Sequence, residues 1–165
     1  QTLLDTEGRK FLSFFESKMQ ELKKLTSEYT REENESHGFF FRKHLWSMIL
    51  CSDFMTRTNV KPRGYAGDSE MMRMIYENEY VGNSTFEKLM YKYGIEVPAA
   101  QAVRNRRIMV PKIMRKVQKE CIGDDDQPLR MMSVACGPAY ELRDLFLSED
   151  DVHRFEITQI GRAHV

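Results

Sequence analysis

The sequence predicts a mainly α protein with a truncated α/β end. Apolar residues recur at spacings of three and four over most of the first 120 positions, which is typical of amphipathic helices. At "LRMMSVA" (129–135) the pattern changes to a short apolar run before a glycine turn, which is typical of a buried strand. We therefore expect a helical domain at 1–126 and the first β-α-β unit of a parallel sheet at 127–160.

The composition of the chain disfavours several classes of binding partner. The chain has 165 residues, with 25 Lys and Arg against 25 Asp and Glu, so its net charge does not favour nucleic acid or an anionic membrane. No apolar run approaches membrane-spanning length. The three cysteines are far apart and form no Cys-x-x-Cys pair, which favours a reducing cytoplasm over a disulfide framework or a metal site. A small-molecule partner is the expectation.

Two helices are predicted in the first third of the chain. An apolar stripe predicts the first over 9–29, and the charged stretch "TREENESHG" (30–38) predicts a break after it. The second helix follows this break, with one face formed by Phe41, Leu45, Met48, Ser52 and Met55.

The stretch "KPRGYAGDSE" (61–70) predicts a tight loop. Three residues in it disfavour a regular element, namely Pro62, Gly64 and Gly67. Asp68 is predicted to cap a helix that begins at Ser69. The loop presents Arg63, Tyr65 and Asp68, whose cation, hydroxyl and carboxylate are candidate ligand contacts. The alternative is a loop that does no more than cap the helix.

Two further helices are predicted before residue 126. Ser84 and Glu87 form the sequence of a capping box, and Gly94 is expected to end that helix. Pro98 predicts the start of a long helix that runs to about Glu120.

The long helix carries "VRNRR" (103–107), which places Arg104 and Arg107 on one face. These side chains are candidates for binding an anionic group, and a solvated helix face is the alternative. Pro111 is expected to bend the helix, and "GDDDQP" (123–128) is expected to be a polar linker.

The turn after the first strand is the candidate ligand-binding turn. It reads Ala135-x-Gly137-x-Ala139, followed by a predicted helix over 140–147 and a second strand over 155–160. A strand, a glycine turn, a helix and a strand open many nucleotide-binding sheets, whose ligand lies over the carboxyl end of the first strand. A buried strand that ends in a tight turn would give the same pattern. A nicotinamide site is disfavoured, because the third glycine of that fingerprint is missing.

Four segments together resemble a known family. "PRGYAGD", "MMRMIYEN", "PAAQAVRNRR" and "SVACGPAYEL" follow the order and approximate spacing of a bacterial family of class I S-adenosylmethionine-dependent methyltransferases, which includes proteins that make 3-hydroxypalmitic acid methyl ester. The resemblance covers 61–160. It implies a helical region ahead of a Rossmann-like domain, S-adenosylmethionine as cofactor, and a small-molecule or fatty-acid-type methyl acceptor.

The resemblance also implies site residues. The cofactor contacts would be Ala135, Cys136, Gly137, Pro138, Glu141 and Tyr65. The contacts to the cofactor carboxylate or to an acidic acceptor would be Arg63, Asp68, Arg104 and Arg107. Ser133 occupies the place before the turn where such enzymes often carry an acid. No catalytic residue and no metal ligand is assigned.

The end of the sequence bears on activity. Class I methyltransferases usually carry an acid after the second strand, and Gly161 stands at that place. Translated back into codons, "IGRAHV" gives a common sequencing-adapter sequence, so 161–165 are expected to be non-native; a genuine terminus is the alternative. We expect an N-terminal fragment of a methyltransferase that is inactive alone. The competing hypothesis is a non-catalytic helical sensor or protein-interaction module.

Overall fold

Helices make up most of the chain, as predicted. The computed structural model describes residues 2–122 and 127–161, which form eight helices and two strands. The helices are α1 (Thr2–Leu25), α2 (Arg31–Ile49), α3 (Asp53–Val60), α4 (Ser69–Glu77), α5 (Thr85–Glu96), α6 (Pro98–Cys121), α7 (Tyr140–Arg143) and α8 (Glu149–Arg154). The strands are β1 (Leu129–Val134) and β2 (Phe155–Ile160).

The chain divides into two compact units, each built from two segments. The first unit comprises Gln1–Pro62 and Glu79–Glu96, and the second comprises Arg63–Asn78 and Val97–Val165. Helices α4 and α6 therefore belong with the two strands, and the predicted boundary at residue 126 falls inside the second unit. Residues 123–126 of the predicted linker and residues 162–165 of the predicted non-native tail lie outside the described residues.

In the first unit, α1 and α3 both pack against α5. The prediction that Gly94 ends α5 is wrong, because the helix continues to Glu96. Gly94 is buried, and a Cβ at this position would lie 2.6 Å from Cδ1 of Phe54 on α3. The glycine allows α3 and α5 to approach closely instead of ending the helix.

The predicted break at 30–38 is also wrong, because α2 begins there. Thr30 is the N-cap: its side chain accepts a hydrogen bond from the Glu33 amide at 3.3 Å, while its own amide donates to Glu33 Oε2 at 2.8 Å. This capping box satisfies two amides that the first turn leaves without partners. The helix predicted through Met55 is divided, since α2 ends at Ile49 and Ser52 caps α3.

In the second unit, β1 and β2 pair in parallel, with Leu129 opposite Phe155 and Val134 opposite Ile160. The predicted helix over 140–147 is shorter in the structure, because α7 ends at Arg143. Ser148 then forms a capping box with Asp151 and starts α8, which the sequence analysis missed.

Helix α6 organises the second unit. Both α4 and α7 pack against it. Its Met114 lies in a buried cluster with Leu142, Leu145 and Phe155. The helix begins at Pro98, as predicted, and continues through Pro111. Helix α4, which follows the loop, thus packs on α6, and β1, which precedes the turn, packs against the buried cluster that includes Met114 of α6.

Candidate functional site

A cavity of about 830 Å³ lies in the second unit. The loop before α4 contributes Arg63, Tyr65 and Gly67 to its lining, and α6 contributes Arg106. The turn at 135–138, directly after β1, forms another part, and Gln159 and Gly161 at the end of β2 also line it. The cavity thus joins the loop and the turn that the sequence analysis singled out separately.

The turn after β1 has an unusual backbone. Ala135, Gly137 and Ala139 have φ values of 56°, 53° and 52°, all in the left-handed region. This region is disfavoured for branched or bulky side chains, which accounts for small residues at all three positions. A Cβ at Gly137 would have no heavy atom within 4 Å, so the backbone here is open to a ligand.

The loop before α4 is held by its own side chains. Asp68 is 2% exposed, and its carboxylate accepts a hydrogen bond from the Met71 amide at 2.9 Å. Asp68 therefore caps α4, as predicted, and it does not line the cavity. Arg63 donates a hydrogen bond to the Ser69 hydroxyl, and Tyr65 lines the cavity with 38% of its surface exposed.

Arg106, which the sequence analysis did not select, is the α6 arginine at the cavity. Its Nε donates to Glu141 Oε1 at 2.8 Å, and its Nη2 donates to the Tyr76 hydroxyl oxygen at 2.7 Å. The Tyr76 hydroxyl in turn donates to Glu141 Oε1 at 2.5 Å. Burial and the hydrogen bond to Glu141 raise the pKa of Tyr76 to about 12. Glu141 is thus a partner of Arg106 and is not part of the lining.

The two arginines that were selected lie elsewhere. Arg107 forms an ion pair with Asp144, and its guanidinium lies 4.8 Å from the centre of the Tyr140 ring. The hydrogen bond between the pair raises the pKa of Arg107 and lowers that of Asp144. Arg104 donates to Gln101 Oε1 at 2.8 Å. Neither side chain lines the cavity.

No pattern along α6 could have identified Arg106. Its partners Tyr76 and Glu141 come from α4 and α7, 30 and 35 residues away in sequence. Spacings of three and four describe one helix surface and carry no information about which neighbouring elements cover it.

The lining contains two cationic side chains, one of which, Arg106, is paired with the Glu141 carboxylate. Its described residues include the guanidinium groups of Arg63 and Arg106 and no carboxylate. A ligand with an anionic group is therefore favoured, because a guanidinium binds carboxylates and phosphates through charge-assisted hydrogen bonds.

Two other cavities, each of about 300 Å³, are lined mostly by apolar side chains. One lies in the first unit between α1, α2, α3 and α5, and includes Phe15, Leu45 and Met90. The other lies in the second unit and includes Ser133, Met114 and Ile157. Ser133, at the place where methyltransferases often carry an acid, therefore borders this apolar cavity and not the charged one.

Comparisons with protein-family models, curated proteins and solved structures found no match to this chain. Within residues 2–122 and 127–161, no cluster of three or more His, Cys, Asp or Glu side chains could hold a metal ion. None of the described helices is both long and apolar enough to cross a membrane.

Proposed function

We propose that the cavity in the second unit is the S-adenosylmethionine site of a class I methyltransferase that acts on a small-molecule or fatty-acid-type acceptor. One observation carries the proposal: the 63–67 loop and the 135–138 turn, far apart in sequence, line one cavity beside the carboxyl end of a parallel strand. Ligands of parallel α/β sheets bind at this end of the strands.

The residues present suit the chemical groups of this cofactor. A cavity of about 830 Å³ lies in the range typical of small-molecule sites. The open backbone at Gly137 allows the close approach that an adenosyl compound needs, and the two guanidinium groups suit its carboxylate. When bound, S-adenosylmethionine supplies an electrophilic methyl group that a nucleophilic acceptor can take up.

The chain's own residues would orient and enclose the ligand. The turn would contact one side of the ligand, while Tyr65 and Arg63 would cover the ligand from the loop. Methyl transfer is an in-line displacement, which depends on alignment and exclusion of water more than on a strong acid or base. The proposal therefore does not require a catalytic acid or base, and none is assigned. The sheet described here has two strands, so we expect millimolar affinity and no turnover by the 165 residues.

Saturation-transfer NMR with S-adenosylmethionine tests the proposal, because it detects millimolar affinities. The wild-type chain should give a signal from the adenine protons. Gly137→Leu should abolish it, since the side chain would occupy the open space beside the turn. Gly38→Leu is the control: Gly38 also has open space at its Cβ, but it lies on α2 in the first unit and does not line the cavity.

The proposal fails if the wild-type chain gives no signal at millimolar cofactor. It also fails if Gly137→Leu and Gly38→Leu reduce binding equally, because an effect of the added side chain away from the cavity would then account for the loss. Melting temperatures of both variants show that the comparison is made on folded protein.

A helical interaction module is the second candidate, and α2 supports it. No residue of α2, which is described along its whole length, is buried, and Phe39 and Phe40 are 74% and 66% exposed. Exposed aromatic side chains at neighbouring positions often mark protein-protein contacts. Sedimentation velocity of the wild type and of Phe39→Ser/Phe40→Ser tests this candidate. Self-association that the double variant removes, without cofactor binding by the wild type, would favour it.

A further inference from the structure

We propose that Arg106 binds the carboxylate at the amino-acid end of S-adenosylmethionine, with Tyr76 and Glu141 as positioning residues for its guanidinium. This inference rests on the proposed function and names one anchoring contact within that site. It differs from the sequence-based hypothesis, which assigned this role to Arg104 or Arg107.

Hydrogen-bonding capacity supports the assignment. The guanidinium of Arg106 has three nitrogens, of which Nε and Nη2 donate to Glu141 and Tyr76. Its Nη1 has no hydrogen-bond partner among the described residues, and the side chain lines the cavity while 50% exposed. A cavity-lining cation with a remaining donor is suited to a carboxylate.

Burial of the two partners makes Arg106 a fixed anchor. Tyr76 is 6% exposed, and the Glu141 side chain is 12% exposed. Both accept from Arg106, and they are also joined to each other through Glu141 Oε1. A long side chain that is already held in one geometry loses little conformational entropy when a ligand binds. The three side chains thus place a charged donor at the cavity before the ligand arrives.

Arg63 is the competing anchor, since it is the other cation in the described lining. Its described hydrogen bond goes to the Ser69 hydroxyl, a neutral partner six residues away in the same loop and helix start. A charge-assisted pair with Glu141 orients Arg106 more strongly than a hydroxyl orients Arg63. We therefore assign the carboxylate to Arg106.

Two ligands separate the carboxylate from the rest of the cofactor. S-adenosylmethionine carries the amino-acid end, and 5′-methylthioadenosine has the same adenosine and sulfur without it. In NMR titrations of the full 165-residue chain, Arg106→Gln should weaken S-adenosylmethionine binding about tenfold or more, and 5′-methylthioadenosine binding less than about twofold. Arg104→Gln is the matched control on the same helix and should change neither affinity.

The positioning role is tested with Tyr76→Phe, which removes the hydroxyl that accepts from Arg106 Nη2 but leaves the ion pair of that nitrogen with Glu141. It should weaken S-adenosylmethionine binding about threefold and leave 5′-methylthioadenosine unchanged. If Arg106→Gln does not fold, Arg106→Lys keeps the charge but not both partner bonds, and should show the same ligand-specific loss at a smaller size.

The outcomes separate the two proposals. Failure of the wild-type chain to bind either ligand contradicts the proposed function. Binding of both ligands, with Arg106→Gln equally affecting both or affecting neither, overturns the inference alone. A loss specific to S-adenosylmethionine in Arg63→Gln but not in Arg106→Gln also overturns it and assigns the carboxylate to Arg63.

Discussion

Two glycines within helices differ in the space available for a side chain. Gly94 in α5 is buried against Phe54, where a Cβ would lie 2.6 Å from a ring carbon. Gly38 in α2 has open space at the same position, with no heavy atom within 4 Å. The sequence alone cannot distinguish them, because the difference comes from a contact with another helix.

Alanine substitutions should therefore have opposite effects at these two glycines. Gly94→Ala should lower the free energy of unfolding by about 1–3 kcal/mol, because the new methyl group overpacks the α3 and α5 contact. Gly38→Ala should raise it by up to about 1 kcal/mol, because alanine favours the helical backbone. Urea denaturation measures both, and a stabilising Gly94→Ala would contradict the packing described here.

Cys136 and Gly161 lie close together at the candidate cavity. A Cβ at Gly161 would lie 2.7 Å from the Cys136 sulfur, and both residues line the candidate cavity. The acid that the methyltransferase resemblance leads one to expect at position 161 therefore requires Cys136 to move or shrink.

This contact predicts a dependence between two substitutions. Gly161→Asp alone should improve S-adenosylmethionine binding little, because the contact with the sulfur opposes the gain of a carboxylate for the ribose hydroxyls. Cys136→Ala/Gly161→Asp should bind about tenfold more tightly than Cys136→Ala alone. NMR titration of the three variants tests this, and equal gains from Gly161→Asp with and without Cys136 would contradict it.

At the scale of elements, an ion pair connects α6 to the segment after α7. Arg107 binds Asp144, and Arg115 Nη2 donates to the Leu145 carbonyl oxygen at 2.6 Å. The Asp144 and Arg107 side chains are 33% and 26% exposed, so we expect the pair to contribute about 1 kcal/mol or less.

The pair makes part of the stability depend on pH. Arg107 lowers the pKa of Asp144 in the folded chain below its ordinary value of 3.8. The contribution is therefore complete above pH about 4 and is lost as the pH falls through the folded pKa. Urea denaturation should show that the free energy of unfolding falls more between pH about 5 and pH about 3 for the wild type than for Asp144→Asn. An equal fall in the free energy of unfolding for both proteins would mean that folding does not lower the pKa of Asp144.

Local signals predicted several elements well. The Asp68 cap, the Pro98 start and the change of period at β1 are short-range patterns, and the structure has α4, α6 and β1 at those places. The capping boxes at Thr30 and Ser148 are also local signals, but the charged residues after Thr30 were interpreted as a break, and no element was predicted between residue 147 and the second strand. The placement of Arg106 was inaccessible, because it depends on contacts with α4 and α7.

The chain passes back and forth between its two compact units, and no local sequence pattern predicts this path. The chain leaves the first unit at Pro62, forms the loop and α4 in the second, and returns to the first at Glu79. Periodicity predicts that each helix has an apolar face but not which partner covers it. The candidate site depends on this path, because the 63–67 loop lines the cavity only as part of the second unit.

The central claim is that this cavity, and no other, binds S-adenosylmethionine. Amide chemical shifts of ¹⁵N-labelled protein during titration with the cofactor test it most directly. We expect changes at residues 63–69, 106, 135–137 and 159, and none at Phe15, Leu45 and Met90 beside the apolar cavity of the first unit. Changes confined to those first-unit residues, or no changes at millimolar cofactor, would contradict the account.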